Sequence, residues 1–532
     1  MKERIDVVRA LANKLPRFSA DGLVSLYLPA VVAGDTVIRE IGVDLRPVRK
    51  SEGGEPGWSV RNFEAQLPGR TELRADGDVY LGDAPSYSGE LIVASKQPSG
   101  FAAWVGAEDD PAIRSLPSAG FSANAAIDGT GVRFDDLEIA LGTASLTGSL
   151  ARKRAEGEAS SLDAELTGNT VNLDQLAALY RLFRSANPTS ANGEGYLAGE
   201  AMSLSLSGQT VLLDGLTAED VALVGRLDGE GIALETLSIG SLAGAQLSAK
   251  GSLAGVASSL KGAASGQMAV SVKASDVTGL MELIEQRVGP MPILSRLSTA
   301  PDLVDETELD ITIKASGSGL SVQGEGISGG TFITLTASDL GLTTGGIQNP
   351  DALTLVLENA NSAKLLRQMN VPSIVDLSEL GLAESGRGAL RLQARKGDKA
   401  SYRVEGALTL LDGYASFEGP LTPTRNGAEV MLAGTLQVAT ELSDLDAFAS
   451  RFALTLPGAG FGQSARGTLA LAFDGDRVEA RTIDARVAQT KATGSLALKW
   501  PARGDISLVP GTQPRAAVPV VTGKLQLDRL HA

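Results

Sequence analysis

The chain has 532 residues and a formal net charge of −16, from 63 acidic and 47 basic residues. That balance argues against a nucleic-acid partner, because phosphate binding relies on neutralisation by Lys and Arg, and against a broad electrostatic hold on anionic headgroups. There is no cysteine, and the single histidine is His531, which excludes disulfides, thiolate metal sites, cysteine nucleophiles and a triad with an internal histidine.

The chain opens on a predicted helix, with Ile5, Val8, Leu11 and Leu15 at helical spacing. This stretch carries charges throughout and lacks the apolar core of a signal peptide. No run along the chain approaches the roughly 18 apolar residues that span a bilayer.

A two-strand phrase then recurs at Val60–Val79, Val132–Ala151, Ile232–Leu253 and Val478–Leu496. In the second copy Phe134, Leu137, Ile139 and Leu141 make the apolar side of a strand, Gly142 and Thr143 punctuate it, and Leu146 leads into Gly148-Ser149-Leu150. The recurring glycines Gly77, Gly148, Gly251 and Gly494 are read as turn markers. Recurrence of this kind identifies a repeat protein, in which each unit touches its neighbours and no single central core grows.

Strict alternation marks further strands. Met202, Leu204 and Leu206 share one face of a segment with serines on the other. The same pattern holds for Leu309, Ile311 and Ile313, for Leu353, Leu355 and Leu357, for Leu469, Leu471 and Phe473, and for Leu525 and Leu527. Period two with one polar face means half-buried antiparallel strands.

A second phrase couples a strand to a short helix. It occurs at Gly89–Gly106, Leu162–Phe183, Met268–Gln286, Leu353–Met369 and Gly434–Phe452. Asn172 with Gln175, and Ser443 with Asp446, resemble capping boxes. Leu173, Leu176, Leu179, Leu182 and Phe183 form the clearest helical stripe. Helix starts near residues 99, 172, 275, 362 and 443 divide the chain into segments 1–98, 99–171, 172–274, 275–361, 362–442 and 443–532. Irregular connections are expected at Gly289–Asp302 and Gly419–Gly427, and a Pro-rich linker within 500–519. The chain closes on a strand, Gly523–Asp528, with no helix after it. Both ends therefore cut the repeat, which predicts a piece of a longer polypeptide with open sheet edges prone to associate.

No catalytic constellation emerges. The pairs Asp109-Asp110 and Asp135-Asp136 read as solvated carboxylates. The glycines of Gly317–Gly326 lack the order of a phosphate loop. The basic run Arg152-Lys153-Arg154 is followed by Glu156 and Glu158 and reads as a solvated turn. Trp58, Trp104 and Trp500 are scattered, so no stacking platform forms. The chain is read as non-enzymatic, with no metal and no cofactor. The fold class expected is mainly β with short interspersed helices, as serial antiparallel sheets in an elongated, curved, groove-like array. The one-sided apolar faces either close into dry cores or line an aliphatic trough, and alternation does not separate these two.

The run Leu73–Gly106 with Asp109–Ile127 and Val132–Leu150, and the later phrase Leu213–Gly255, resemble the large AsmA-family proteins of alphaproteobacteria. The resemblance is one of repeat grammar over about residues 60–500. It implies a Gram-negative envelope protein, inner-membrane-associated and periplasmic, whose repeated sheets form an apolar groove of the bridge-type lipid-transfer class. The implied partners are phospholipid acyl chains and the inner and outer membranes, and the implied role is intermembrane phospholipid transport in outer-membrane biogenesis and integrity. The family's membrane anchor is missing from this sequence. The residues expected to line the groove are Ile139, Leu141, Leu146, Met202, Leu204, Leu206, Leu309, Ile311, Ile313, Leu353, Leu355, Leu357, Leu469, Leu471 and Phe473. The competing reading is a surface or extracellular β-repeat protein, structural or adhesin-like, with closed dry cores.

Overall fold

A computed structural model describes residues 22–33, 36–49, 56–80, 85–105, 114, 116–153, 160–185, 201–228, 231–255, 264–288, 297–317, 319–343, 346–347, 350–369, 386–397, 401–411, 413–426, 429–446, 462–474, 477–487, 489–499 and 520–528. The expected first helix, the Asp109-Asp110 pair and the Pro-rich linker lie outside these residues. The chain forms two compact units, one of Met1–Leu242 with Leu247–Ser258, the other of Ala243–Gln246 with Ser259–Ala532. Both are mainly β with short interspersed helices, as the alternating pattern requires.

The first unit runs β1 (Val24–Ala33), β2 (Thr36–Arg49), β3 (Pro56–Leu67), β4 (Thr71–Tyr80), β5 (Ser86–Ser95), α1 (Pro98–Val105), β6 (Ala119–Ile127), β7 (Gly131–Leu141), β8 (Ala144–Lys153) and β9 (Ser161–Asn172). It continues with α2 (Leu173–Ser185), β10 (Ala201–Leu213), β11 (Leu216–Leu227), β12 (Gly231–Leu242) and β13 (Ala245–Ala254). From β1 to β9 each strand pairs antiparallel with the next. The β9–β10 pair is parallel, and β10, β11 and β12 resume the antiparallel ladder.

The second unit runs β14 (Ala264–Asp276), α3 (Thr278–Val288), a 3-10 turn at Pro301–Leu303, β15 (Asp305–Gly317), β16 (Gly319–Ser328), β17 (Thr331–Thr343), β18 (Gly346–Ile347) and β19 (Ala352–Asn359). After α4 (Ser362–Gln368) come β20 (Gly388–Lys396), β21 (Tyr402–Leu410), β22 (Gly413–Asn426), β23 (Glu429–Leu442), β24 (Ala465–Asp474), β25 (Arg477–Val487), β26 (Thr490–Lys499) and β27 (Val520–Leu527). These strands also pair antiparallel in series, with β19 joining β17 directly and the short β18 folding back on the end of β17.

Counting strands explains where the helices go. Four antiparallel steps separate β5 from β9, so both run the same way and α1 and α2 leave from one end of the sheet. In the second unit four steps separate β14 from β19, and four more lead to β23, so α3, α4 and the helical residues Leu445–Asp446 again share one end. An even strand count per repeat builds a helical rim along one edge of each sheet face.

The helices form where the caps are. Asn172 Oδ1 accepts from Gln175 N at 3.0 Å, and Asn361 Oδ1 accepts from Ala363 N and Lys364 N at 3.0 and 3.1 Å. Each bond satisfies an N–H that the first helical turn leaves unpaired. Leu173, Leu176 and Leu179 of α2 pack on the core of the first unit. Ala178 of α2 meets Ala102 of α1 and Leu116, so the two helices touch along the rim.

The four recurring phrases are hairpins, but the recurring glycines are not their turns. Gly77, Gly148, Gly251 and Gly494 lie inside β4, β8, β13 and β26. Gly148 has φ +157°, and a Cβ there would stand 1.8 Å from the carbonyl oxygen of Glu165 on β9. Gly494 repeats this, with 2.1 Å to the carbonyl oxygen of Lys524. These positions bring two backbones too close for any side chain, and the chain marks them with glycine for that reason. Strand bending is completed by bulge residues with left-handed backbone: Asn62, Asp136 and Thr482 at φ 50°, 50° and 47°, each where the pairing register shifts. Asn and Asp tolerate that conformation, whereas the β-branched Thr482 adopts it at a steric cost, and a bulge raises twist locally.

One other sequence expectation is corrected. Gly419–Asn426 is not a connection but the second half of β22. Pro420 falls where β22–β23 pairing is interrupted, between Glu418↔Gln437 and Leu421↔Gly434, so its missing N–H breaks no ladder bond there. Gly324 and Gly326 lie within β16.

Candidate functional site

Register alignment shows that one face of each unit is aliphatic. In the second unit Val270 of β14 faces Ile311 of β15, which faces Gly324 of β16, then Leu335 of β17 and Leu355 of β19. The row continues through Leu392, Gly406, Phe417 and Val438 to Leu469 of β24. It crosses ten strands without a charged or polar side chain. At about 4.8 Å per strand it is about 43 Å long, more than the ~30 Å hydrocarbon thickness of a bilayer.

Parallel rows flank it. Leu309, Gly326, Ile333, Leu357, Leu390 and Leu408 form one, and Ile313, Val322, Ala337, Leu353, Ala394 and Val404 the other. Leu471 faces Leu436 and Phe473 faces Gly434. All nine residues singled out in this unit from sequence therefore share one face. All ten residues of the central row are half-buried, neither sealed nor fully exposed.

The six residues singled out in the first unit also share a face. Ile139 opposes Leu146, Leu206 opposes Leu166, and Leu204 opposes Ala164 beside Leu150. Here burial is deeper. Leu146, Leu206 and Leu141 are 1%, 2% and 3% exposed and Ile139 8%, in one cluster with Leu137 and Val171. Leu204 packs against that cluster, and Met202 is half-buried. The α2 leucines seal this face toward the helical rim.

In the second unit the rim is polar beneath α4. Thr307 and Ser328 hydroxyls meet at 2.8 Å, and Thr307 also donates to the Val304 carbonyl. Gln368 Nε2 donates to the carbonyls of Leu303 and Ser328. Leu365 is fully buried and Leu366 nearly so.

The opposite faces carry the charge, in pairs such as Arg61–Asp76 at 2.7 Å, Arg133–Asp135 at 2.8 Å and Arg481–Glu479 at 2.9 Å. These exposed pairs contribute little stability each. Two shallow depressions of about 530 and 570 Å³ lie on this face of the first unit, between hydroxyl and acid rows such as Ser203, Ser205, Glu165, Thr167 and Ser207. No group of three or more His, Cys, Asp or Glu side chains able to hold a metal occurs among the described residues. No helix among them is long and apolar enough to cross a membrane.

Val270, Leu335, Leu392, Phe417 and Val438 complete the side chains of the central row but were not singled out from sequence. Their signal was present, since Ile333 and Leu335, and Leu390 and Leu392, alternate as clearly as the segments chosen. No protein-family model, curated protein or solved structure matches the chain.

Proposed function

We propose that the chain holds phospholipid acyl chains along its aliphatic face and passes them between inner and outer membranes as a periplasmic, AsmA-type envelope scaffold, supporting outer-membrane biogenesis without catalysis. The observation carrying this reading is the uncharged, half-buried row from Val270 to Leu469. An acyl chain in water exposes CH₂ groups at about 0.8 kcal/mol each, and a continuous aliphatic lining removes that cost without gripping one lipid. Recovery of phospholipid with the purified chain, detected by mass spectrometry, tests it. A lipid-free preparation that also fails to take up a fluorescent phospholipid rejects it.

A second reading is favoured by the buried clusters, Val404 with Leu436 in the second unit and a deeper one in the first. There Leu146 and Leu206 are sealed in the manner of an ordinary dry core, as in a structural or adhesin-like β-repeat protein. That reading predicts no lipid on either unit.

A further inference from the structure

We propose that the end of the β20–β21 hairpin is a phosphate site, where Arg395 and Arg403 hold the headgroup of a phospholipid whose acyl chain lies on the aliphatic face. This rests on the acyl-chain reading above. Arg395 of β20 and Arg403 of β21 stand directly opposite each other in the ladder, and both are exposed. Like charges directly opposite across two strands repel.

Nothing in the ladder offsets that repulsion. The row they share continues into Ala352 of β19 on one side and Pro420 of β22 on the other, so no acid faces either arginine. Glu405, the next residue on that face of β21, opposes Gln393. Among the described residues no carboxylate forms an ion pair with Arg395 or Arg403. Their neighbours show the usual arrangement, since Arg387 and Arg391 both form ion pairs with Glu358. In a chain of net charge −16, two facing guanidiniums without an acid call for an anion from outside. A phosphate suits them, because its oxygens accept from the planar forks of two arginines at once.

The position of the pair ties it to the aliphatic face. β19 runs toward α4, so β20 runs away from the helical rim and the hairpin closes at the opposite edge. Alternation carries Leu390, Leu392 and Ala394 on to Lys396, which opposes Tyr402. Tyr402 packs against the cluster of Ala394 and Val404, and its hydroxyl donates to the Pro350 carbonyl at 2.8 Å. Lys396 Nζ meets Asp351 Oδ1 at 2.6 Å, with both side chains half exposed. The aliphatic face thus ends here in a wet, charged border, with the arginine pair just outside it. Four residues separate Leu392 of the central row from Lys396, about 13 Å along the strand. A lipid with its tail in that row reaches the border with its headgroup.

Arg466 and Arg486 also face each other, but at the edge beside the helices. Glu441 opposes Arg466 there, and the aliphatic face beside them ends in Ala465 and Val487. That pair is the control.

Binding of two fluorescent lipids with identical acyl chains, phosphatidylglycerol and diacylglycerol, to the full chain tests the proposal. The wild type should bind the phosphatidylglycerol severalfold more tightly. Arg395→Gln with Arg403→Gln should abolish that preference and leave diacylglycerol binding unchanged, while Arg466→Gln with Arg486→Gln should keep it. Each single variant, Arg395→Gln or Arg403→Gln, should lose part of the preference, which carries the test should the double variant misfold. Equal binding of both lipids by the wild type overturns the headgroup site and leaves the acyl-chain reading standing. So does a preference that survives in the double variant, or one that the control loses equally. Inorganic phosphate that binds the arginine pair without any preference for phosphatidylglycerol makes this a site for free phosphate and overturns the headgroup assignment. Failure of both lipids to bind rejects the acyl-chain reading and this proposal with it.

Discussion

Thr331 and Asn359 face each other across β17 and β19, and Asn359 Nδ2 donates to Thr331 Oγ1 at 2.6 Å with both residues buried. Thr331 Oγ1 in turn donates to Gln368 Oε1 of α4 at 2.5 Å. The first unit uses the same device, where Thr71 and Ser95 face each other at the ends of β4 and β5 and their hydroxyls bond at 2.8 Å just before α1. A polar pair at the strand end thus binds the sheet where the chain leaves it for a helix.

Breaking that pair should loosen the helical rim. Asn359→Leu leaves the Thr331 hydroxyl with one partner and removes the donor to the Gly329 carbonyl. A buried polar group left unpaired costs about 1–3 kcal/mol. Chemical denaturation should show this loss in the transition of the second unit, with hydrogen exchange rising first in α4. An unchanged midpoint would mean that α4 docks through Leu365 and Leu366 alone.

Gly148 separates a structural glycine from a permissive one. Any side chain there meets the Glu165 carbonyl, so Gly148→Ala must push β8 and β9 apart. Overpacking of this kind costs about 1–3 kcal/mol. Gly215 has φ +76° but open space around it, so Gly215→Asn should be nearly neutral. Comparing the two thermal midpoints checks the assignment of Gly148 to a close strand approach.

Much of this was legible in the sequence because period two is a strong signal. Ile311, Leu355 and Leu469 could be placed on strand faces without a structure, and Asn172 announced α2. What pattern alone could not supply was register. Nothing in the sequence says that Ile311 reaches Leu355 through Gly324 and Leu335, or that β9 and β10 run parallel. Nor could alternation reveal depth: Leu206 and Leu355 sit in equivalent patterns, yet α2 covers the first face while the central row around the second stays half-open. The glycines were misread for the same reason, since a glycine needed by a neighbouring strand looks locally like a turn.

Acid should weaken the start of α3. Asp276 Oδ1 accepts from Thr278 Oγ1 at 2.6 Å and from Thr278 N at 2.9 Å, and these bonds hold its carboxyl below the usual carboxylate pKa. A group whose pKa is depressed by folding contributes stability above its unfolded pKa and loses it as pH falls through the folded value. Helical signal should therefore decline below about pH 4. Asp276→Asn should remove that part of the acid response while leaving the pH 7 spectrum close to wild type. An identical acid limb in both proteins would assign the loss to other carboxylates.

The two units should respond oppositely to changes on their aliphatic faces. Leu146 is 1% exposed in the sealed cluster, so Leu146→Ala should cost about 2–5 kcal/mol in the stability of the first unit. If acyl chains lie along the second unit, that loss should leave phospholipid uptake intact in the folded fraction. Leu355 sits mid-row and half-buried, so a lysine there can extend its ammonium to water and spare the fold. Leu355→Lys should then change stability little and cut uptake of a fluorescent phospholipid severalfold, because it sets a charge in the middle of the uncharged central row. The absence of cysteine gives a second readout: a single Leu355→Cys carrying an environment-sensitive dye should report a drier surrounding when lipid is added. Should Leu355→Lys bind lipid as well as wild type, the row from Val270 to Leu469 is not the path.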